Sequence, residues 1–327
     1  EEADALLLIG TNPRVEAAVW NARIRKSWLW GELKVGVIGE AVDLTYDYDH
    51  LGTGGDALAN VASSDFFKML KDAKRPMVVV GEGALCRADG QAVLDAALQL
   101  AQDVGAVVDG WAGFGVLHNA AGRVGALDVG FVPGEGGKAT AEILGGGMEA
   151  VVLLGADEVD LSALGSAKVI YVGSHGDAGA SRADIILPCA TYTEMDATYA
   201  NTEGRIQMTT RAVQPKGEAR EGWAIFRALS QVVGKTLPYD TAAALRAGLR
   251  GPEGENTVFS GLGFAPGVSG VSALQSAMAS SSGPISADAF ASTIDDFYLT
   301  NPIARASKTM AECSSLSTAL DTPVAAE

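Results

Sequence analysis

Several short stretches bring together residue types that catalysis or ligand binding needs. Gly173-Ser174-His175-Gly176-Asp177 holds a hydroxyl, an imidazole and a carboxylate. A nucleophilic triad requires those side chains to converge, whereas near neighbours on an extended segment point apart. No G-x-S-x-G elbow presents a serine either. His175 follows an apolar run, at the strand end where α/β proteins bind ligands. Structural hydrogen bonding is the role expected for it and for the isolated His50 and His118. Glu194 and Glu203 lie in a polar run over 193–207. They suit either an acid–base pair or a hydrogen-bonded turn and hairpin, with Gly204 taking an unusual backbone angle and Arg205 pairing a carboxylate. Residue types alone leave both open.

Two glycine turns suit phosphate. Gly10-Thr11-Asn12-Pro13-Arg14 ends an apolar run and opens a helical stretch, so free backbone N–H groups and a guanidinium would face an anion. The competing role is a helix capped by Asn12, with Arg14 paired to a carboxylate. Gly81-Glu82-Gly83-Ala84-Leu85-Cys86 resembles the start of a dinucleotide fingerprint. Cys86 stands where its third glycine belongs, and Asp109 lies 26 residues beyond Gly83 instead of about 20. A glycine-rich turn is the expected role. Cys86, Cys189 and Cys313 form no C-x-x-C spacing, which gives no basis for a disulfide framework or a local Fe–S or zinc site.

The elements that would position these residues recur along 1–250. Ala5–Ile9, Leu33–Ile38, Met77–Val80, Ala106–Val108, Ala150–Leu154, Lys168–Val172 and Ile185–Leu187 read as strands. Between them, Arg14–Lys26, Ser63/Ser64 through Lys71, Asp89–Gln102, Lys138–Leu144 and Gly222–Val233 read as helices. The strand runs are continuously apolar, the pattern of strands covered by helices on both faces. The fold expected is α/β, doubly wound around a mostly parallel sheet.

The net charge of −16 disfavours nucleic acid and anionic membrane surfaces as ligands. Hydrophobic residues make up 48% of the 327, enough for a sizeable core, but no apolar run approaches the ~20 residues of a membrane span. The chain opens at Glu1 and enters a strand within a few residues, which reads as a processed product or the later part of a longer polypeptide. Over 251–283 Gly, Ser and Ala dominate and periodicity fades, as in a linker. The tail beyond 250 carries two basic and eight acidic residues, with apolar Phe290, Phe297, Tyr298, Leu299, Ile303 and Met310. Such a tail is expected to dock on the same chain or on a partner.

Longer matches carry a family resemblance. Thr11–Arg14 with Asn21–Lys26, Asp43–Tyr46, His50–Gly52, Gly173–Asp177, Ala183–Pro188 and Asn201–Gln207 resemble the molybdopterin-oxidoreductase-like portion of the large iron–sulfur subunit of respiratory complex I. The tail Asp296–Ser314 is similar to the end of its mitochondrial and α-proteobacterial members. Cys189 stands where Gly is usual, and Met195-Asp196 and Ala200 also vary the pattern.

The resemblance implies a cofactor-less α/β domain over 1–250 and a linker and docking tail over 251–327. It also implies 2Fe–2S and 4Fe–4S clusters on a portion of the subunit outside this chain, so no catalytic, cofactor-binding or metal residues are expected here. It implies partners in the peripheral arm: the flavin- and NADH-binding subunit and quinone-side subunits, with no direct membrane insertion. The setting would be the cytoplasmic side of a bacterial inner membrane or the matrix side of the mitochondrial one. Two other readings are part of a molybdopterin enzyme such as formate dehydrogenase, whose pterin phosphates would sit at Gly10–Arg14 and Gly173–Asp177, and a nicotinamide-binding module using Gly81–Cys86 and Asp109.

Overall fold

The computed structural model describes residues 2–31, 33–249, 263–264 and 283–321. It divides into two compact units: 1–120 with 267–295, and 121–266 with 296–327. The linker expected over 251–283 lies outside the described residues apart from Gly263, Phe264 and Gly283.

The first unit is built on β1 (Ala5–Ile9), β2 (Lys34–Ile38), β3 (Asp49–Gly52), β4 (Pro76–Gly81) and, after a short ribbon of β5 (Val107–Val108) and β6 (Trp111–Ala112), β7 (Phe114–Leu117). The five-stranded sheet runs in the order β3-β2-β1-β4-β7, every pairing parallel. Strand side chains alternate between faces. From β1, Ala5, Leu7 and Ile9 enter one core, with Leu58 of α3 (Gly55–Asn60), Phe66 and Leu70 of α4 (Asp65–Asp72), and Val93 and Ala97 of α6 (Gly90–Asp103). Leu6 and Leu8 enter the other, with Ile24 of α2 (Ala18–Leu29), Leu44 and Tyr46. All five β1 residues are buried, which is why the run carries no polar alternation. The doubly wound, mostly parallel architecture expected from the sequence is present.

Three details differ from the sequence reading. The stretch read as one helix over Arg14–Lys26 is two, α1 (Pro13–Glu16) and α2, broken at Ala17 (φ −150°) where Glu16 turns back onto the helix start. Strands β3 and β7 were not legible; each lies at a sheet edge and is short and partly exposed. The run Ala106–Val108 supplies β5 of the antiparallel ribbon, outside the main sheet. Ser64 caps α4, its hydroxyl accepting from the Phe67 amide at 3.1 Å.

The second unit holds a three-stranded parallel sheet in the order β10-β9-β8: β8 (Ala150–Leu154), β9 (Lys168–Gly173) and β10 (Ile185–Pro188). One face packs Val151, Leu153, Val169 and Tyr171 into a core. On the other, Val152, Leu154 and Ile185 are exposed. An antiparallel hairpin of β11 (Ala197–Ala200) and β12 (Arg205–Thr209) turns at Gly204, whose φ of +76° only glycine adopts without strain. Helices here include α7 (Arg123–Asp128), α8 (Thr140–Leu144), α9 (Ala178–Arg182), α10 (Gly222–Val232) and α11 (Ala242–Leu249), with α12 (Pro302–Arg305) and α13 (Lys308–Asp321) near the chain end.

Candidate functional site

In the first unit strand order reverses between β1 and β4: the chain leaves β1 towards β2 and β3 and returns on the other side of β1 as β4 and β7. Open α/β sheets bind ligands at such a switch point, outside the carboxyl ends of the strands. The turns Gly10–Asn12 and Gly81–Gly83 meet there. Gly10 has φ +56°, and a Cβ on it would lie 2.5 Å from the Ala84 Cβ. A Cβ on Gly81 would lie 2.5 Å from the Gly10 carbonyl oxygen. The glycines therefore let the two turns pack against each other, leaving little opening toward a ligand.

The anion-binding groups of this edge are used within the chain. The Asn12 amide donates to Glu16 Oε1 at 3.0 Å, and Thr11 Oγ1 donates to Glu16 Oε2 at 2.5 Å. The Glu16 carboxylate thus occupies the place of an anion at the start of α1. Asn12 Oδ1 accepts from the Arg14 amide at 3.2 Å, and Arg14 Nη1 donates to Asp43 Oδ2 at 2.6 Å. Burial raises the Glu16 carboxyl above its ordinary value; its hydrogen bonds from Asn12 and Thr11 oppose this, and the charge of Glu82 adds to it. Glu82 is itself buried, accepts from the Asn119 amide at 3.3 Å, and lies 3.5 Å from His118 Nδ1.

The open space at this edge is a cavity of 20 Å³, lined in part by Thr11, Glu16, Phe290 and Ser292. That is room for about one water, whereas cofactor pockets run to about 300–1,000 Å³. A pterin dinucleotide does not fit this edge of the first unit as the described residues build it. Its volume is absent, its phosphate position holds a carboxylate, and a second buried carboxylate would repel it. Among the described residues no group of three or more His, Cys, Asp or Glu is placed to hold a metal ion.

A proton is bound more tightly by Glu16 in the fold than in the unfolded chain. Its contribution is therefore most favourable below the ordinary glutamate range and is lost as pH rises through that range to the raised folded value. Glu16→Gln removes the titration. Relative to wild type, the variant is expected to gain stability between pH 4 and pH 7, and urea unfolding at both values checks it. An unchanged difference would mean that Glu16 titrates normally in the fold.

The remaining candidates of the first unit lie apart from one another. Cys86 is exposed and ends α5 (Glu82–Leu85). Asp109 is exposed in the turn between β5 and β6. His50 Nε2 bonds the Gly39 carbonyl at 2.9 Å.

The second unit has a groove of 560 Å³ at the carboxyl ends of β8 and β9, lined by Gly155, Tyr171, Ser174, His175, Asn301 and Met310 among others. Ser174 Oγ lies 2.9 Å from His175 Nδ1. Asp177 turns away and accepts from Arg305 Nε at 2.6 Å, so the three polar residues of the 173–177 run form no triad. Asp157, buried beneath, accepts from the Tyr171 hydroxyl at 2.7 Å and the Gly179 amide at 2.9 Å. Burial, and then the Asp157 carboxylate, push the Tyr171 hydroxyl well above its ordinary value, so it stays a proton donor. Arg305 also reaches Glu158 Oε1 at 2.6 Å and the Leu299 carbonyl at 3.1 Å, fixing the segment Leu299–Arg305 to this unit. Glu194 is buried at the Thr191 turn, with Oε2 accepting the Thr191 amide at 3.3 Å, while Glu203 pairs with Arg205 at 3.8 Å across the hairpin turn. Cys189 is buried, which pushes its thiol up, and Cys313 is partly buried.

The fold, with glycine turns retained at strand ends, defines a class. The family model for molybdopterin oxidoreductase matches residues 1–232, and the chain belongs to that family. Residues 264–313 match a second model, which describes the C-terminal region of an NADH-ubiquinone oxidoreductase subunit. The chain is similar to the mitochondrial NADH-ubiquinone oxidoreductase 78 kDa subunit of Neurospora crassa, with 41% identity over 318 residues, 96% of this chain and 42% of the relative. It is 42% identical over 325 residues to the mitochondrial NADH dehydrogenase [ubiquinone] iron-sulfur protein 1 of Solanum tuberosum, covering 97% and 42%. To the NADH-ubiquinone oxidoreductase 75 kDa subunit of Reclinomonas americana it is 38% identical over 326 residues, covering 97% and 45%. The chain therefore spans less than half the length of these relatives.

Proposed function

We propose that this chain is the molybdopterin-oxidoreductase-like portion of the large iron–sulfur subunit of NADH:quinone oxidoreductase, respiratory complex I. In this role it is a scaffold without catalytic, cofactor-binding or metal-ligating residues of its own. It braces the portion of the subunit that carries 2Fe–2S and 4Fe–4S clusters, and so supports electron transfer from NADH to quinone coupled to proton translocation. The observation that carries the reading is a family fold whose ligand edge is closed, with Glu16 in the anion position. The similarity to NADH-ubiquinone oxidoreductase subunits along 96–97% of the chain favours it over a formate-dehydrogenase-like enzyme. Exposed Val152, Leu154 and Ile185 suit docking against neighbours, which we take to be the flavin- and NADH-binding subunit and quinone-side subunits. Among the described residues no helix is long and apolar enough to cross a membrane. That accords with a place in the peripheral arm, on the cytoplasmic face of a bacterial inner membrane or the matrix face of the mitochondrial one.

Two measurements test this. The purified chain, incubated with iron, sulfide and molybdate under reducing conditions and desalted, is expected to retain none of these metals stoichiometrically; one iron–sulfur cluster or one molybdenum per chain would overturn the scaffold role. Affinity purification of the tagged full-length protein from solubilised membranes is expected to recover NADH:quinone oxidoreductase activity. Recovery of formate oxidation instead would overturn the complex.

A further inference from the structure

The crevice of the first unit has an occupant, and it is the chain itself. Residues 285–293 run across the carboxyl edge of the sheet and are held along their whole length. The Ser286 amide donates to Asp89 Oδ2 at 2.8 Å. Arg87 Nη1 donates to the carbonyls of Asp288 at 3.1 Å and Ala289 at 3.0 Å, while its other nitrogens grip Asp89 Oδ1 and Oδ2 at 2.8 and 3.0 Å. Ala289 forms an antiparallel bridge with Gly54, and the Phe290 amide donates to the Thr53 carbonyl at 2.8 Å. The Phe290 ring is 2% exposed, lies in the core that contains Leu7, Ile9 and Val80, and has the Arg87 guanidinium 5.1 Å above it. At the far end Asn119 Nδ2 donates to Thr293 Oγ1 at 2.6 Å.

Three glycines are accounted for by this path; at Gly83 the Gly10 carbonyl, 2.8 Å from an added Cβ, is a second close neighbour. A Cβ on Gly54 would overlap the carbonyls of Asp288 and Ala287; on Gly55, the Ser286 carbonyl; on Gly83, the Ala291 carbonyl. None of the three has a positive φ, so backbone conformation does not require glycine there. They are notches cut for a backbone that passes over them.

We propose that residues 285–293 are a permanently seated strap, for which Gly54, Gly55 and Gly83 are shaped, and that it closes the switch-point crevice to any dinucleotide. The strap deepens the scaffold reading but rests on the geometry of this unit alone, so it stands or falls independently of membership in complex I.

Gly55→Ala separates the alternatives by sign. Gly55 is the first residue of α3, where alanine is the better helix former. If nothing passed over it, the change would be neutral or stabilising. With the strap seated, the methyl group forces the strap away. The test is hydrogen–deuterium exchange on the full chain, read on peptides covering 285–293 and β1. Wild type is expected to protect 286–290. Gly55→Ala is expected to speed exchange there by about a hundredfold, which is about 2.8 kcal/mol of opening free energy at 1.4 per decade, while β1 stays protected. Should Gly55→Ala unfold the unit as a whole, Arg87→Met decides: selective loss of protection at 286–290 supports the strap, and unchanged protection overturns it. Wild-type exchange over 286–290 at the rate of an open peptide would also overturn it. So would binding of ADP to the wild-type chain with perturbation at Gly10–Asn12.

Discussion

Gly10→Ala is expected to destabilise the first unit by about 3 kcal/mol or to prevent its folding. Two effects add at this position. An L residue at φ +56° costs on the order of 1 kcal/mol. The new Cβ would also lie 2.5 Å from the Ala84 Cβ and 2.7 Å from the Ala84 amide nitrogen. Overpacking of that kind costs about 1–3 kcal/mol where the neighbour cannot move, and Ala84 is fully buried. Relief would require β1 or β4 to shift, and both lie in the middle of the sheet. Tryptophan fluorescence during urea unfolding is a suitable reading, because Trp20, Trp28, Trp30 and Trp111 lie in this unit and only Trp223 in the other. A loss below about 1 kcal/mol would show that the two turns do not press on each other as described.

Phe290→Ala is the second large effect, expected at about 3–5 kcal/mol in the same unfolding transition, the usual cost of removing a buried aromatic ring. Its interest lies in distance along the chain. The last strand of this unit ends at Leu117, yet the ring that completes its core arrives from a segment after most of the second unit has been made. Phe297 supplies the control: it is 50% exposed and belongs to the other unit, so Phe297→Ala is expected to leave this transition within about 0.5 kcal/mol. Equal effects from the two substitutions would remove Phe290 from the core.

The strands that could be read from the sequence are those with continuous apolar runs. β1 and β4 have them because neither side-chain direction meets enough water to favour a polar residue; β8 carries the same pattern although Val152 and Leu154 are exposed on one of its faces. β3 reads Asp49-His50-Leu51-Gly52, and only its pairing with β2 makes it a strand. β7 contains Gly115 and owes its place to pairing with β4. Such edges are specified by a partner far away in sequence, and local pattern carries little of that. The glycine turns were legible as turns, but their setting was not. Nothing in Gly10-Thr11-Asn12-Pro13-Arg14 indicates that Glu16 folds back to take the free N–H groups.

Composition, apolar runs and long motif matches were enough to determine an acidic α/β chain of the molybdopterin oxidoreductase family, because burial of a parallel sheet constrains residue type position by position. What fills the ligand edge was decided only in three dimensions. Ile285-Ser286-Ala287-Asp288-Ala289-Phe290-Ala291 has no periodicity to mark it as part of a core. It becomes one because three glycines and Arg87, more than 190 residues earlier along the chain in every case, leave a path that this backbone occupies.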